Sequence, residues 1–346
     1  MIAMLGTGTM GAPMARNLKA AGLEVRAFNR TREKADALTA DGIEVAGSPE
    51  EAVRGADIVI TMVSDGDAVT AAMEDGGALA AMPDDALWLQ MSTVGIAATE
   101  ALAALAEERS VPFVDAPVLG TKAPAEQGKL QVLASGPDDQ RERCAPVFDA
   151  VGASTRWLGE AGAGTRAKLV LNSWLLSLTE SVAETVAFAE SIDVDPRVFL
   201  QTIEGGPLDC AYAQTKGGAM IERSFAPSFS LSLARKDAGL VLEAAERHDQ
   251  AVPIAEVVAR QMEKAAGRRP RRRGHGGDLL GERAATPTSR LEAAEHRDVD
   301  RGRRARLEAL LIEGIHQVER DHAAAIRSYS SWSSAARNAS FSARVP

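Results

Sequence analysis

Cysteine and histidine are what the body of this sequence nearly does without. Among 346 residues there are two cysteines, Cys144 and Cys210, and five histidines, of which only His248 precedes Gly267. Two lone cysteines form neither a disulfide framework nor a metal-ligand spacing, so a reducing compartment, the cytoplasm, is expected and no metal site is. His248 lies in the polar helix end Glu246-Arg-His-Asp and reads as a surface residue. Long uninterrupted apolar runs are missing too. The stretch from the 160s to about Ile192 comes nearest, but Lys168, Asn172, Glu180 and Glu184 break it, which excludes a membrane span. No charged leader precedes the first strand-like residues, so no signal peptide is expected. A net charge of -9 argues against nonspecific nucleic-acid binding.

What is present suggests two domains, since 45% hydrophobic residues is ample for two cores. Met1-Ile-Ala-Met-Leu5 reads as a buried parallel strand. Gly6-Thr7-Gly8-Thr9-Met10-Gly11 follows at once, then a helix over 12–21 closed by Gly22. Glycines at these spacings allow a tight turn, close backbone approach to a pyrophosphate, and close helix–strand packing. Strand, turn and helix come in the order a dinucleotide site demands, and a second strand follows at 24–28. At its end, where an acidic residue would hold a ribose 2′-hydroxyl, stand Asn29-Arg30-Thr31-Arg32. Arginine suits a 2′-phosphate, so NADP(H) is the expected cofactor, with NAD(H) the second candidate.

Alternation continues. Ser48 and Pro49 start a helix, 57–63 reads as a strand, a helix lies near 67–73, and 86–90 is a further strand. Strands alternating with helices predict a parallel sheet with ligands at the strands' carboxyl ends. Met62-Val63-Ser64 and Ser92-Thr93 are therefore expected to border the cofactor. Residues 111–115 read as a strand running into a small-residue loop that carries Leu119-Gly120-Thr121, followed by a strand at 130–134. Backbone N–H groups and a hydroxyl there can meet an anion.

A glycine-loosened start, Gly162 and Gly164, leads into a long helix. Ala167, Leu171, Trp174, Leu175, Leu178, Val182, Val186 and Ala189 recur at helical steps and predict its buried face. Lys168 and Asn172 are four apart and share a face. Taken alone the pair fits a solvated lysine with a locally bonded amide. Following a dinucleotide fold, it becomes the floor of an active site.

Together these segments resemble the beta-hydroxyacid dehydrogenase family (3-hydroxyisobutyrate dehydrogenase, tartronate semialdehyde reductase, glyoxylate/succinic semialdehyde reductase). The resemblance covers 1 to about 266. It rests on Gly6–Leu18, Asp115–Leu130, Gly162–Asn172 and Leu233-Ala-Arg-Lys236-Asp237. It implies an α/β Rossmann-type parallel-sheet domain over 1–160, followed by an all-α substrate and oligomerisation domain over 161–267 that the long interdomain helix opens. It implies that Lys168 is the catalytic lysine and that Asn172 holds the substrate. Thr93 then contacts the cofactor, and Lys236, with Asp237 beside it, reaches its nicotinamide side. A small aldehyde or hydroxy carboxylic acid is the implied substrate, and a homo-oligomer the implied assembly. Imine reductases related to the family lack the lysine, so Lys168 argues against that branch. Where many members read Ser-Gly-Gly, this chain has Leu119-Gly120-Thr121, with Thr121 as the replacement hydroxyl.

Hydride transfer at a carbinol carbon needs a proton moved at the oxygen. Lys168 can give it in reduction at an ordinary pKa near 10.4. As a base in oxidation it needs the lower pKa that burial supplies. Reduction by NADPH is therefore the easier direction expected.

From Gly267 onward the language changes. Sixteen arginines, no lysine and ten acidic residues give a net +6, against about -15 for 1–266. Codons for Asp-Met-Ala-Ala-Thr-Tyr-Trp-Ala-Ser, a family-like ending, read two bases late spell His275-Gly-Gly-Asp-Leu-Leu-Gly-Glu282. A frameshift near Gly267 is the reading, with 268–346 an arginine-rich tail of no selected structure. An arginine-rich interaction arm is its alternative. With it goes a second functional reading, a protein that binds cofactor but is catalytically impaired.

Overall fold

The computed structural model describes residues 1–224 and 229–267. The arginine-rich stretch 268–346, and the frameshift read there, lie outside the described residues.

The chain begins β1 (Ile2–Leu5), α1 (Gly11–Ala20), β2 (Val25–Phe28), α2 (Arg32–Asp36), β3 (Glu44–Val45), α3 (Pro49–Val53) and β4 (Ile58–Thr61). It continues through α4 (Gly66–Thr70), which runs on into a π-helical turn at Ala71–Asp75, then α5 (Ala78–Ala81), β5 (Leu87–Gln90), α6 (Ile96–Glu108) and β6 (Phe113–Asp115). These strands form one parallel sheet in the order β3-β2-β1-β4-β5-β6. Successive side chains of a strand point to opposite faces. Ile2 and Met4 join one apolar cluster with Met14 and Leu18, while Ala3 and Leu5 join another with Trp88 and Leu102. A sheet covered on both faces needs apolar residues at every position, which is why β1 reads as a continuous run.

Next come β7 (Val118–Leu119), α7 (Lys122–Glu126), β8 (Leu130–Ala134), α8 (Arg141–Val151) and β9 (Gly152–Trp157). They make a second sheet, β7-β8-β9, antiparallel then parallel. This corrects the small-residue loop expected after β6. Pro124 disguised α7, but it stands in the helix's first turn, where its missing N–H has no helical partner to lose. β9 is largely exposed and carries no apolar alternation for the sequence to show.

The remainder is helical: α9 (Ala163–Ser191), α10 (Pro196–Ile203), α11 (Ala211–Ile221), α12 (Leu231–Arg247) and α13 (Pro253–Gly267). The 29 residues of α9 span about 43 Å. Its far half buries Val182, Val186 and Ala189 as the period predicts, but its near half does not follow. Trp174 is 66% exposed, and the buried positions are Thr165, Lys168, Leu169, Asn172 and Leu176. The buried face there is partly polar, so an apolar period selects the wrong stripe. α12 and α13 pack on α9 through Leu176, Ala234, Ala238 and Val258. Ile96 of α6 packs with Leu169 and Val241, joining the sheet domain to the helices. Among the described residues, no helix is long and apolar enough to cross a membrane.

Candidate active site

The glycine turn after β1 divides its glycines by task. A Cβ on Gly6 (φ 106°) would lie 2.2 Å from the Met62 carbonyl oxygen, and one on Gly11 would lie 1.9 Å from that of Gly6. Those two glycines are required by the fold itself. A Cβ on Gly8 would meet nothing within 4 Å, so the space beside it is open to a ligand. α1 then starts with no side-chain cap and no acidic residue in its first turn; the Ala12 N–H bonds the Gly8 carbonyl and Pro13 has none, so the positive dipole end is what remains for an anion. Thr7 adds a buried hydroxyl with no partner among the described residues. These features fit the pyrophosphate of a dinucleotide. Thr9 is exposed and Met10 packs at the edge of the sheet core.

Asn29 turns inward: its Oδ1 accepts from the Thr7 N–H at 3.0 Å, and its Nδ2 donates to the Thr31 carbonyl at 2.9 Å. It thus ties the glycine turn to the end of β2. Arg30 beside it is exposed. The loops after β4 and β5 are tied as well. The Val63 N–H donates to Ser92 Oγ at 2.9 Å, and Ser92 Oγ donates to the Thr61 carbonyl at 3.1 Å. Gln90 clamps Ser92 from both sides, accepting from its N–H at 2.7 Å and donating to its carbonyl at 2.8 Å. Gln90 was not foreseen, because it sits inside an apolar strand. Ser64 donates to Asp65, which caps α4. Burial alone would raise the Asp65 carboxyl, but bonds from Ser64 and Ala68 and the charges of Lys236 and Arg30 outweigh it and lower its pKa.

Lys168, Asn172 and Asp237 are all buried where α9 meets α12. Asn172 Nδ2 donates to Asp237 Oδ2 at 3.0 Å, and Lys236 Nζ pairs with Asp237 Oδ1 at 2.8 Å. Lys236 also donates to the Thr93 carbonyl, so the helical domain touches the loop expected to border the cofactor. Burial pulls the Lys168 ammonium down from 10.5 to about 8, with the Asp237 charge resisting and Lys236 assisting. Of the two cases the sequence leaves open, an ordinary pKa and one lowered by burial, Lys168 falls in the second, because its side chain has left water. Asp237, expected only as a neighbour, is the hub of the cluster.

Leu119 pairs with Gln131 across the small sheet. Gly120 (φ 142°) is closed in by Leu130 and Pro124, and Thr121 precedes α7 without capping it. Among the described residues no hydrogen bond joins 119–121 to Lys168 or Asn172, although α9 packs against β8, the neighbour of β7. His248 is exposed, as is Leu208 at 78%, whereas Tyr212 bonds Thr179 at 3.0 Å within the helical packing.

Residues 1–159 match a family model described as the NAD binding domain of 6-phosphogluconate dehydrogenase. Residues 162–277 match one described as NAD-binding of NADP-dependent 3-hydroxyisobutyrate dehydrogenase. The chain is 34% identical over 266 residues to glyoxylate/succinic semialdehyde reductase 2 of Arabidopsis thaliana, covering 77% of this chain and 74% of that protein. It is 31% identical over 255 residues to 3-sulfolactaldehyde reductase of Escherichia coli, covering 73% and 86%. The solved structure of Mycobacterium tuberculosis 3-hydroxyisobutyrate dehydrogenase with L-serine superposes with a TM-score of 0.71 at 32% identity, over 77% of this chain and 93% of that one.

Proposed function

This chain belongs to the beta-hydroxyacid dehydrogenase family of NAD(P)-dependent oxidoreductases acting on CH–OH groups, and on that premise we propose that it reduces a small aldehyde acid with NADPH, using Lys168 as the proton donor. The observation carrying this reading is the cluster of buried Lys168, Asn172 and Asp237 with half-buried Lys236, which meets the cofactor-domain loop at Thr93.

The nicotinamide, when bound, supplies the hydride to the carbonyl carbon. Lys168 gives its proton to the carbonyl oxygen, so that no free alkoxide forms. With a pKa of about 8, roughly nine-tenths of Lys168 is protonated at pH 7, and enough is neutral above pH 8 to serve as base in the reverse reaction. Asn172, its Nδ2 held by Asp237, presents its amide oxygen toward the substrate. Lys236 and Thr93 flank the nicotinamide, while Gly6–Gly11 and Met62–Ser64 border the remainder of the cofactor. The backbone and hydroxyl of Leu119-Gly120-Thr121 take the substrate carboxylate. Arg30 and Thr31 take the 2′-phosphate, which is why NADPH is preferred.

Assembly through the helical domain is part of this reading. Val170 (71% exposed) and Trp174 (66%) leave an apolar stripe open on α9. Light scattering of the purified protein measures the assembly directly, and a monomer at micromolar concentration overturns it.

Reduction of glyoxylate, succinic semialdehyde and tartronate semialdehyde with NADPH and NADH, and oxidation of 3-hydroxyisobutyrate with NADP+ and NAD+, with Lys168→Ala beside the parent, test the reading. A loss of about 10²–10⁴-fold on that substitution is expected of a general acid. A loss of only a few-fold removes Lys168 from the role. Tight NADPH binding with no turnover on the whole panel favours the second reading, a cofactor-binding protein impaired by its divergent C-terminal stretch.

A further inference from the structure

Helix α9 carries the candidate catalytic lysine, yet it has no cap of its own. Its N-cap residue is Gly162, with φ 91° and no side chain to offer. The open N–H groups of the first turn are met instead from distant parts of the chain. The Gly164 N–H donates to Ser135 Oγ at 2.8 Å. The Thr165 N–H donates to Asp115 Oδ2 at 2.7 Å, and the Thr165 hydroxyl donates to Asp115 Oδ1 at 2.8 Å. Asp115 and Ser135 are themselves locked together, each accepting the other's backbone N–H at 2.7–2.9 Å. Gly164 lies so close beneath that a Cβ there would be 2.1 Å from the Leu133 carbonyl oxygen. The first turn of α9 is thus fixed in both rotation and translation to the ends of β6 and β8. Lys168 stands three residues beyond Thr165, on the same face.

We propose that Asp115 is a positioning residue for Lys168, acting as a tertiary cap that sets where the helix places the lysine against the cofactor domain. The proposal rests on the reading of Lys168 given above. The geometry argues for it over a merely structural role because both carboxylate oxygens of a fully buried side chain bond Thr165 of the helix, with Ser135 Oγ a longer second donor to Oδ2 at 3.3 Å. Burial pushes the Asp115 carboxyl up to about 6, against the bonds from Thr165 and Ser135 and the charge of Arg166, so it is ionised and accepting at neutral pH.

The test is Asp115→Asn, which keeps the shape but turns one acceptor into a donor facing Thr165. Misplacement by about 1 Å can cost about 10²-fold in rate, so kcat for reduction is expected to fall about ten- to hundredfold, with the NADPH dissociation constant by fluorescence titration unchanged within about twofold. A kcat within twofold of the parent, or an equal loss in NADPH affinity, overturns the proposal. Independently of turnover, the pH dependence of Lys168 acetylation by acetic anhydride, read by mass spectrometry, is expected to move upward from about 8 as the lysine escapes its burial. An unmoved midpoint also overturns it. If Asp115→Asn does not fold, Thr165→Val and Thr165→Ser decide: Val should lower kcat and Ser restore it, and parent-like kcat in Val counts against the proposal. Lys168→Ala runs alongside. Unimpaired turnover there sinks the general-acid reading, while the acetylation midpoint still reports whether Asp115 places the lysine.

Discussion

Removing the charge of Asp237 gives the sharpest test of how the cluster works. Asp237→Asn keeps an oxygen to accept from Asn172, as Asp237 Oδ2 does now at 3.0 Å, and keeps the side-chain volume. It removes the negative charge that resists the fall of the Lys168 pKa, leaving burial and the Lys236 charge, both of which lower it. An adjacent opposite charge is typically worth about 1–3 pKa units, so Lys168 should drop from about 8 to roughly 5–7. The protonated fraction at pH 7 then falls from about nine-tenths to about a half or less, and reduction at that pH slows by roughly twofold to a hundredfold. The assay is the pH profile of kcat/KM for aldehyde reduction in parent and variant. The expected result is a profile displaced to lower pH by about 1–3 units, with activity recovered near pH 5. Lys236 loses its ion pair, but with 24% of its side chain exposed it can turn to water. The stability loss should therefore stay below the roughly 3–5 kcal/mol of a fully buried broken pair, which a thermal melt checks. An apparent pKa that stays put, or rises, refutes the placement of Asp237 as the counter-charge of Lys168.

The glycine turn predicts a contrast: Gly11→Ala should cost several kcal/mol or abolish folding, since its Cβ would sit 1.9 Å from a carbonyl oxygen. Gly8→Ala should leave the melting temperature unchanged and weaken cofactor binding at least tenfold, because its Cβ enters space that only a ligand needs. Arg30→Ala is expected to raise KM for NADPH about ten- to hundredfold, the worth of one charge-assisted contact, with KM for NADH within about twofold. Lys168 also predicts a stability profile. Its pKa is about 8 folded and 10.5 unfolded, so between those values the unfolded chain binds more protons and stability rises with pH. Below pH 8 the penalty of burying the charge is fully present. Lys168→Met should therefore stabilise the protein at pH 7 by up to about 3 kcal/mol in urea unfolding, an advantage that fades by about pH 10.5.

The parts legible in the sequence are those where one local rule governs. β1 and its glycine turn were readable because strand burial, turn conformation and helix packing each demand a residue type at a fixed spacing. Ser48 was readable as a cap because its side chain accepts from the residue three ahead, Glu51, at 3.1 Å. What escaped depends on residues far apart in the chain. Gln90 looks like a misplaced polar residue in a strand until its two bonds to Ser92 are seen. The stripe holding Lys168 and Asn172 fails any apolar period, since its burial is offset by Asp237, 65 residues from Asn172. The cap of α9 is invisible locally for the same reason, its acceptor lying 50 residues before Thr165.

A single face of α12 explains how two separate cores can share one site. Lys236, Leu240 and Arg247 fall at i, i+4 and i+11, which the helical period stacks in one line. They meet consecutive features of the cofactor domain: Lys236 the Thr93 carbonyl, Leu240 the bare Cα of Gly95, and Arg247 the Glu100 carboxylate. These contacts are unequal. Glu100 also binds Arg166 of α9, but all three side chains of that pair of bridges are more than 40% exposed, and such pairs are worth about 0–1 kcal/mol each. The Leu240–Gly95 contact is different, because a Cβ at Gly95 (φ 88°) would come within 2.7 Å of the leucine's Cδ2, which would have to turn aside. Apolar packing of Leu240 on Gly95, and of Ile96 on Leu169 and Val241, therefore contributes more to this contact than the exposed ion pairs at Glu100 do. Lys236, half-buried beside the buried Asp237 and one turn away from Leu240, meets the loop after β5 next to this apolar contact. Electrostatics then tunes Lys168 in a geometry that packing has already set.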